Sequence, residues 1–438
     1  VVRGGQAEAA GIPPLRAGGC GQGDPHADGP QGDRQADRAG AHLNNTGKIV
    51  RDQYESYPYP ARDPGDEAKR LVTGSPSHIA EIDHYIFAGA RDWARPFRAL
   101  FAGGGTGDGC IMLAQQLAER GTPAEIVHLD LSLASQGVAA ARARARGLTN
   151  IRFVNGSLLD LGRLAPGLYD YIDCCGVLHH LVRPEDGLAV LAQHLSPQGG
   201  MGMMLYAPLG RTGVYPLQEA LRALGGNRPL AARVEDAKAL LRALPATNWF
   251  ARNPHLGDHV GKTDAELVDL LLHGQDRAFT VPEIFALCDG ANLAPVGFLP
   301  PLRYDPAPLL TDPGLRERAL ALPWEQRLAL AENLSGSLKV HVFYAVPRAA
   351  QGGTVAQPGP DMAVVPHMAT TQQIARFVDR ATVTLDLDGH KVSLNAPPGA
   401  AAIARRFDGQ ARGVLENDAA LGTWALLHAL NFALLRRV

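Results

Sequence analysis

Paired cysteines are missing from this sequence: Cys20, Cys110, Cys174, Cys175 and Cys288 are scattered over 438 residues with no C-x-x-C among them. Neither a disulfide framework nor a zinc knuckle is indicated, and a reducing cytoplasm fits best. Long apolar runs are missing too. No stretch approaches the roughly 18 to 20 residues that span a bilayer, and no signal-peptide h-region opens the chain, so neither membrane insertion nor secretion is expected. Nor is there an excess of one charge, since 42 basic side chains face 44 acidic ones for a formal net charge of -2. No overall basic field is left to hold DNA, RNA or an anionic lipid surface, and only local patches would serve. What the chain does have is apolar content, 46% against 20% charged. This is enough for a large core in two to three domains.

Residues 1–45 are mostly Gly, Ala, Arg, Asp and Pro with almost no large apolar side chains, so they cannot repay the entropy of ordering and are read as disordered. The segment 46–97 is read as a lid with helices. Tyr54, Tyr57 and Tyr59 crowd there with Pro58 and Pro60, and Ser77 is placed to cap a helix carrying Ile79, Ile82, Tyr85 and Ile86 at helical spacing. From 98 to 348 short apolar strands alternate with amphipathic helices, the pattern of an α/β fold with a doubly wound, Rossmann-like, mostly parallel sheet. Strands are predicted at 98–102, 125–129, 151–154, 169–174 and 202–206, with helices at 107–120, 133–146 and 185–195. A helical insertion over about 208–280 interrupts the pattern at the carboxyl edge of the sheet, and strands at 296–299 and 338–346 close its far edge as an antiparallel hairpin. Residues 349–365, rich in Gly, Pro and Gln, read as a linker. The remainder, 366–438, reads as a small α+β module with a strand at 383–387, a turn at Asp388-Gly389 and a final helix at 423–435.

Chemistry begins where the first strand ends, at Ala102-Gly103-Gly104-Gly105-Thr106-Gly107. Gly103, Gly105 and Gly107 remove side chains where backbone passes close to a ligand, and the helix that follows offers free N–H groups. The dinucleotide spacing G-x-G-x-x-G is not met, because its last position falls on Asp108 or on Cys110; the dehydrogenase reading loses most of its support. The second strand ends in Asp130, followed by Leu131, where a carboxylate can accept both hydroxyls of a ribose. The competing reading of Asp130 is an acid that complements a helix dipole. The third strand leaves through Ser157, Leu158 and Asp160, where Leu158 is a candidate to flank an adenine face and Asp160 or a backbone amide to meet its amino group. The fourth ends in Cys175-Gly176 and runs into Val177-Leu178-His179-His180-Leu181.

In that order, the glycine loop, ribose acid, Asp160 loop and histidine-bearing turn make residues 98–207 resemble the class I S-adenosylmethionine-dependent methyltransferases. The resemblance implies S-adenosylmethionine as cofactor, held by Ala102, Gly103, Gly105, Thr106, Gly107, Asp130, Leu131, Ser157, Leu158, Cys175 and Gly176. One departure stands out. The family usually has an acid near the end of the first strand, whereas here Leu100 and Ala102 flank Phe101, and Asp108 or backbone carbonyls are the candidate substitutes for reading the methionine amino group. The stretches 53–62, 206–215 and 269–273 further resemble a bacterial subgroup with a Tyr-Pro-Tyr-Pro N-terminal segment.

A sulfonium methyl is already activated, so alignment counts for more than proton transfer: positioning contributes roughly 7 to 11 kcal/mol, a general base about 10²- to 10⁴-fold. Where a base is used, His179 and His180 are the candidates; the alternative packs one under the sheet and has the other cap the next helix. Tyr54, Tyr57 and Tyr59 are candidates for an aromatic lid, and Tyr206, Arg211 and Tyr215 for acceptor contacts, a salt bridge or solvent being the other fate of Arg211. His255, Asp258, His259, Asp269 and His273 follow no ligand spacing, so they are read as loop and helix residues and no metal is expected. The function expected is methyl transfer to a small-molecule acceptor held by the insertion. The alternatives are a protein or RNA methyltransferase that grips its substrate with 366–438, and a non-catalytic S-adenosylmethionine-binding protein. Neither DNA nor a membrane is an expected partner.

Overall fold

In the middle of the sheet, short apolar runs become strands because both of their faces find cover. The computed structural model describes residues 47–259 and 263–438, so the segment 1–45 read as disordered lies outside the described residues. The strands are β1 (Phe97–Ala102), β2 (Ala124–Asp130), β3 (Ile151–Asn155), β4 (Tyr169–Cys175), β5 (Leu195–Tyr206), β6 (Leu293–Leu299) and β7 (Val340–Pro347). They form one sheet in the order β3-β2-β1-β4-β5-β7-β6. β1 to β5 pair in parallel, and β7 runs antiparallel to both of its neighbours. In β1, Leu100 and Ala102 point into one core cluster with Leu188 and Leu191 of the helix Pro184–Gln193. Ala99 and Phe101 point into the other, with Cys110, Leu113 and Leu117 of the helix Asp108–Arg120. This two-sided burial is why the strands read as continuous apolar runs.

The strand order reverses between β1 and β4, and that switch opens a crevice at the carboxyl ends of the strands. The glycine loop leaves β1 on one side of it, and the turn with His179 and His180 leaves β4 on the other. Over the same edge the insertion folds as the helices Val214–Gly225, Leu230–Ala243, Trp249–Arg252 and Asp264–Leu271. They share a core of Val214, Leu221, Val234, Phe250, Leu267 and Leu271.

The C-terminal part differs from expectation at its end. The predicted helix 423–435 stops early, as Asp418–Ala429, because Asn431 turns into the left-handed region at φ 61. Residues Ala433–Arg437 are a strand, β11, paired with β8 (Met362–Pro366). Apart from Thr423, His428 and Asn431 the run 423–435 is apolar, and periodicity alone cannot divide such a run between helix and strand. The stretch read as a linker therefore ends inside a strand, with Met362, Ala363 and Val364 buried. Between these two strands lies the hairpin of β9 (Thr382–Leu387) and β10 (His390–Asn395), turned at Asp388-Gly389 as predicted. A buried carboxylate, Glu81, ties this part to the rest of the chain. It accepts hydrogen bonds from His367 at 2.9 Å, Asn431 at 2.6 Å and Tyr344 at 2.9 Å.

Candidate active site

On the β1 side of the crevice the site is backbone. Gly103, Gly105 and Gly107 sit at φ 78, 53 and 98, left-handed values that other residues adopt only under strain. Gly104 is there for space, since a Cβ on it would stand 2.5 Å from the ring of His128, itself fully buried. Asp130 reaches back from the end of β2 to hold this loop: Oδ2 accepts from the Gly105 N–H at 2.7 Å and Oδ1 from the Ser132 N–H at 2.8 Å. Burial pushes its carboxyl above the ordinary aspartate range, with the two N–H bonds and His128 opposing. The helix Leu133–Ala145 is capped by others, by Ser132 through the Ser135 N–H and by Glu55 through the Leu133 and Ala134 N–H groups. Asp130 is thus engaged with the loop and is not the helix's cap.

Beneath the loop, Arg142 is 1% exposed and binds the Thr106 carbonyl at 2.8 Å, Asp108 at 2.7 Å and Glu67 at 2.6 Å. Above it lies the Tyr-Pro-Tyr-Pro segment. Thr106 Oγ1 donates to the Pro60 carbonyl at 2.7 Å, the Tyr59 carbonyl is 3.0 Å from where a Gly105 Cβ would be, and Arg62 pairs with Asp108. Burial works against the Asp108 charge, yet Arg62 and Arg142 hold its carboxyl below the ordinary range. Asp108, expected as a substitute acid for an amino group, is already shared between two arginines.

The remaining cofactor candidates divide. Ala102 is fully buried at the loop's root, Gly176 turns at φ 74 after β4, and half-buried Cys175 donates Sγ–H to Asp173 at 3.3 Å. Leu131 flanks Asp130, its carbonyl accepting from Asn155 at 3.1 Å. Ser157 caps the short turn that follows it, and Leu158 packs into the core against the helix Pro184–Gln193. Asp160 is on the surface beside Arg163.

The β4–β5 side is made of side chains. His179 is fully buried with no hydrogen-bond partner for either ring nitrogen, and it stacks on Tyr206 with centroids 3.9 Å apart. His180 stacks on His273 at 3.7 Å and sets its Nδ1 2.9 Å from the Gln275 carbonyl. Neither histidine caps the following helix, whose N-cap is Arg183. Burial drives both below the ordinary histidine range, His180 to about 4, so both are neutral imidazoles at neutral pH. Tyr54 and Tyr206 donate their hydroxyls to the two oxygens of Asp269, at 3.1 and 3.0 Å. Burial pushes Asp269 up to about 6, these bonds opposing it. Arg211 is 4% exposed, lies 3.7 Å over the Tyr206 ring, reaches Tyr215 at 3.2 Å and pairs with buried Asp276 at 3.0 Å. Tyr59 is pushed up to about 12 by burial, whereas Tyr57 packs against the insertion's core.

Sequence reading missed Asp269, His273, Gln275 and Asp276 as parts of this site, along with His128 and Arg142 under the loop. Asp269 and His273 are four apart, but the helix that carries Asp269 ends at Leu271, so helical spacing does not put the two on one face. His180, Asp269 and His273 bring ligand-type atoms within 4.8 Å of one another, all buried. The Tyr54 hydroxyl lies 3.1 Å from Asp269 and 3.4 Å from His273 Nε2, so hydrogen bonds already join those two. Of the other rejected candidates, His255 is more remote, near Lys339 and Arg303, and the side chains of Asp258 and His259 lie outside the described residues.

Known proteins resemble this chain in sequence and in fold. The family described as "Methyltransferase domain" matches residues 100–201. An uncharacterized protein of Synechococcus sp., syc1184_c, is 31% identical over 296 residues, covering 66% of this chain and 69% of that protein. A ubiquinone biosynthesis O-methyltransferase of Burkholderia multivorans is 29% identical over 208 residues, 48% of this chain and 78% of its own. Among solved structures, PKMT2 from Rickettsia typhi in complex with AdoHcy superposes with a TM-score of 0.52 at 14% identity, covering 87% of this chain and 76% of that one; this likeness is one of fold.

Proposed function

The chain belongs to the class I S-adenosylmethionine-dependent methyltransferases, with S-adenosylmethionine as its cofactor, and we propose that it methylates a small-molecule acceptor seated between Tyr206, His180 and the insertion. The observation that carries the reading is the meeting, in one crevice, of a side-chain-free cradle and a wall of tyrosines and neutral imidazoles. The residues fit the cofactor. The glycines at left-handed φ keep side chains off the loop's backbone, and Asp130 retains lone pairs for two hydroxyls beyond the two backbone bonds it accepts. Gly103, Gly105, Thr106, Gly107 and Asp130 would hold it, Ala102, Leu131, Cys175 and Gly176 would border it, and Tyr59 with Pro60 would cover it. Bound, it supplies a methyl group activated by a sulfonium.

The chain's own residues then have three tasks. Tyr54, Tyr59 and Tyr206 exclude water and line the acceptor's approach. Arg211, neutralised by Asp276, braces the Tyr206 ring. His180 takes the acceptor's proton at Nε2, because its Nδ1 faces a carbonyl and must carry the ring's proton. The Tyr-Pro-Tyr-Pro segment over the loop favours the bacterial subgroup that bears it. The unpaired cysteines Cys110, Cys174, Cys175 and Cys288 favour a reducing compartment such as the cytoplasm. Among the described residues no helix is long and apolar enough to cross a membrane.

Transfer of labelled methyl groups from S-adenosylmethionine into a fractionated extract tests this. Label is expected in the low-molecular-weight fraction, with His180→Gln slowing transfer about 100-fold or more. Label confined to protein or RNA would overturn the small-molecule acceptor. No label anywhere, with S-adenosylhomocysteine bound, would overturn catalysis.

A further inference from the structure

We propose that Asp269 and His273, carried by the insertion, are positioning residues of the acceptor site, and that with Gln275 they fix its hydrogen-bond directions so that it takes a nucleophile bearing its own N–H or O–H. The inference rests on the acceptor position given above; the geometry behind it does not.

One peptide residue sets two tautomers. The Gln275 carbonyl can only accept, so His180 Nδ1, 2.9 Å away, carries a proton. The Gln275 N–H can only donate, so His273 Nδ1, 3.1 Å away, carries none. Both rings are neutral, since burial lowers each below the ordinary histidine range. Two imidazoles stacked 3.7 Å apart are therefore opposite in character: His180 presents a bare Nε2, His273 an Nε2–H.

The second proton runs on through the site. His273 Nε2–H faces the Tyr54 oxygen at 3.4 Å, Tyr54 donates to Asp269 Oδ1 at 3.1 Å, and Tyr206 donates to Asp269 Oδ2 at 3.0 Å. Every proton in this chain is committed to a neighbour within it. What remains for an acceptor is lone pairs, on His180 Nε2, on the Tyr206 oxygen and on Asp269. A nucleophile with an X–H finds partners here. A thioether or a tertiary amine finds none, and its own lone pair meets others. In the reaction the nucleophile's lone pair forms the bond to the methyl carbon as the carbon–sulfur bond breaks toward sulfur, and the X–H proton passes to His180 Nε2.

Long-range ¹H–¹⁵N correlation on the full chain, histidine-labelled and assigned with His180→Gln and His273→Gln, reads the tautomers directly at neutral pH. The expected result is Nδ1–H at His180 and Nε2–H at His273. An Nε2–H at His180, an Nδ1–H at His273 or an imidazolium at either would overturn the proposal, whether or not transfer is observed. In the labelled-methyl assay, Asp269→Asn and His273→Leu should raise KM for the acceptor fraction roughly tenfold. His273→Gln, which keeps a donor, should restore most of it, and S-adenosylhomocysteine affinity should stay unchanged as the check on folding. Equal loss in His273→Leu and His273→Gln would reduce His273 to packing. A sulfonium or quaternary ammonium product would overturn the acceptor class. Absence of any labelled product from the wild type would count against the proposed function and leave the tautomer result standing.

Discussion

The cofactor side of the crevice offers backbone amides and a single carboxylate, drawn from two adjoining strand ends within about thirty residues of sequence. The acceptor side offers side chains from four separated stretches: Tyr54, His179 with His180, Tyr206 with Arg211, and Asp269 with His273. The first wall is defined by where side chains are missing, the second by which ones are present. Adding atoms should therefore damage the cofactor wall, whereas changing hydrogen-bond direction should damage the acceptor wall.

The largest expected effect is at the foundation of the cofactor wall. Arg142→Ala removes the buried cation that binds Glu67, Asp108 and the Thr106 carbonyl together, and leaving Glu67 buried beside Arg146 alone should cost about 3 to 5 kcal/mol in chemical denaturation. A loss under about 1 kcal/mol would show that the loop does not depend on it.

A pH comparison probes the acceptor wall. Burial, opposed by the Tyr206 and Tyr54 bonds, raises Asp269 from 3.8 to about 6. The folded chain then holds that proton more tightly than the unfolded chain. This stabilising contribution is fully present below about pH 4 and is lost as pH rises through about 6. The melting temperature of Asp269→Asn relative to wild type should accordingly climb between pH 4 and pH 7, by the equivalent of at most about 2 to 3 kcal/mol. A flat difference would mean that Asp269 ionises normally.

Smaller again, Gly104→Ala brings a Cβ to 2.5 Å from the buried His128 ring and should destabilise by about 1 to 3 kcal/mol, with weakened cofactor binding. The corresponding small addition on the acceptor side, at an exposed position of the insertion, should be silent. Smallest is Arg62→Ala. Its pair with Asp108 is about a third exposed, so stability should change by less than about 1 kcal/mol, while release of S-adenosylhomocysteine, measured by stopped flow, should speed up if this pair latches the segment over the loop.

The same contrast explains what could be read from the sequence. Gly103, Gly105, Gly107 and Asp130 were legible because a tight turn and a strand-end acid are local demands, met by neighbours in the chain. The α/β alternation was legible for the same reason. Asp269 and His273 were not, since what gives them a role is contact with Tyr54, 215 and 219 residues away in the chain. Gln275 acts through its backbone, which its side chain does not advertise. Arg142 shares its helix with Arg144, and only the fold shows it buried. The last helix was overextended because Trp424 to Leu435 is apolar but for His428 and Asn431; the left-handed turn at Asn431 decides where it stops.

Calorimetric titration with S-adenosylhomocysteine puts the division of the crevice to its most direct test. Wild type and His180→Gln should bind alike, and Asp130→Ala should lose roughly 100-fold, the loss expected when hydrogen bonds to a charged group are removed. No binding to the wild type, or unchanged binding in Asp130→Ala, would contradict the account.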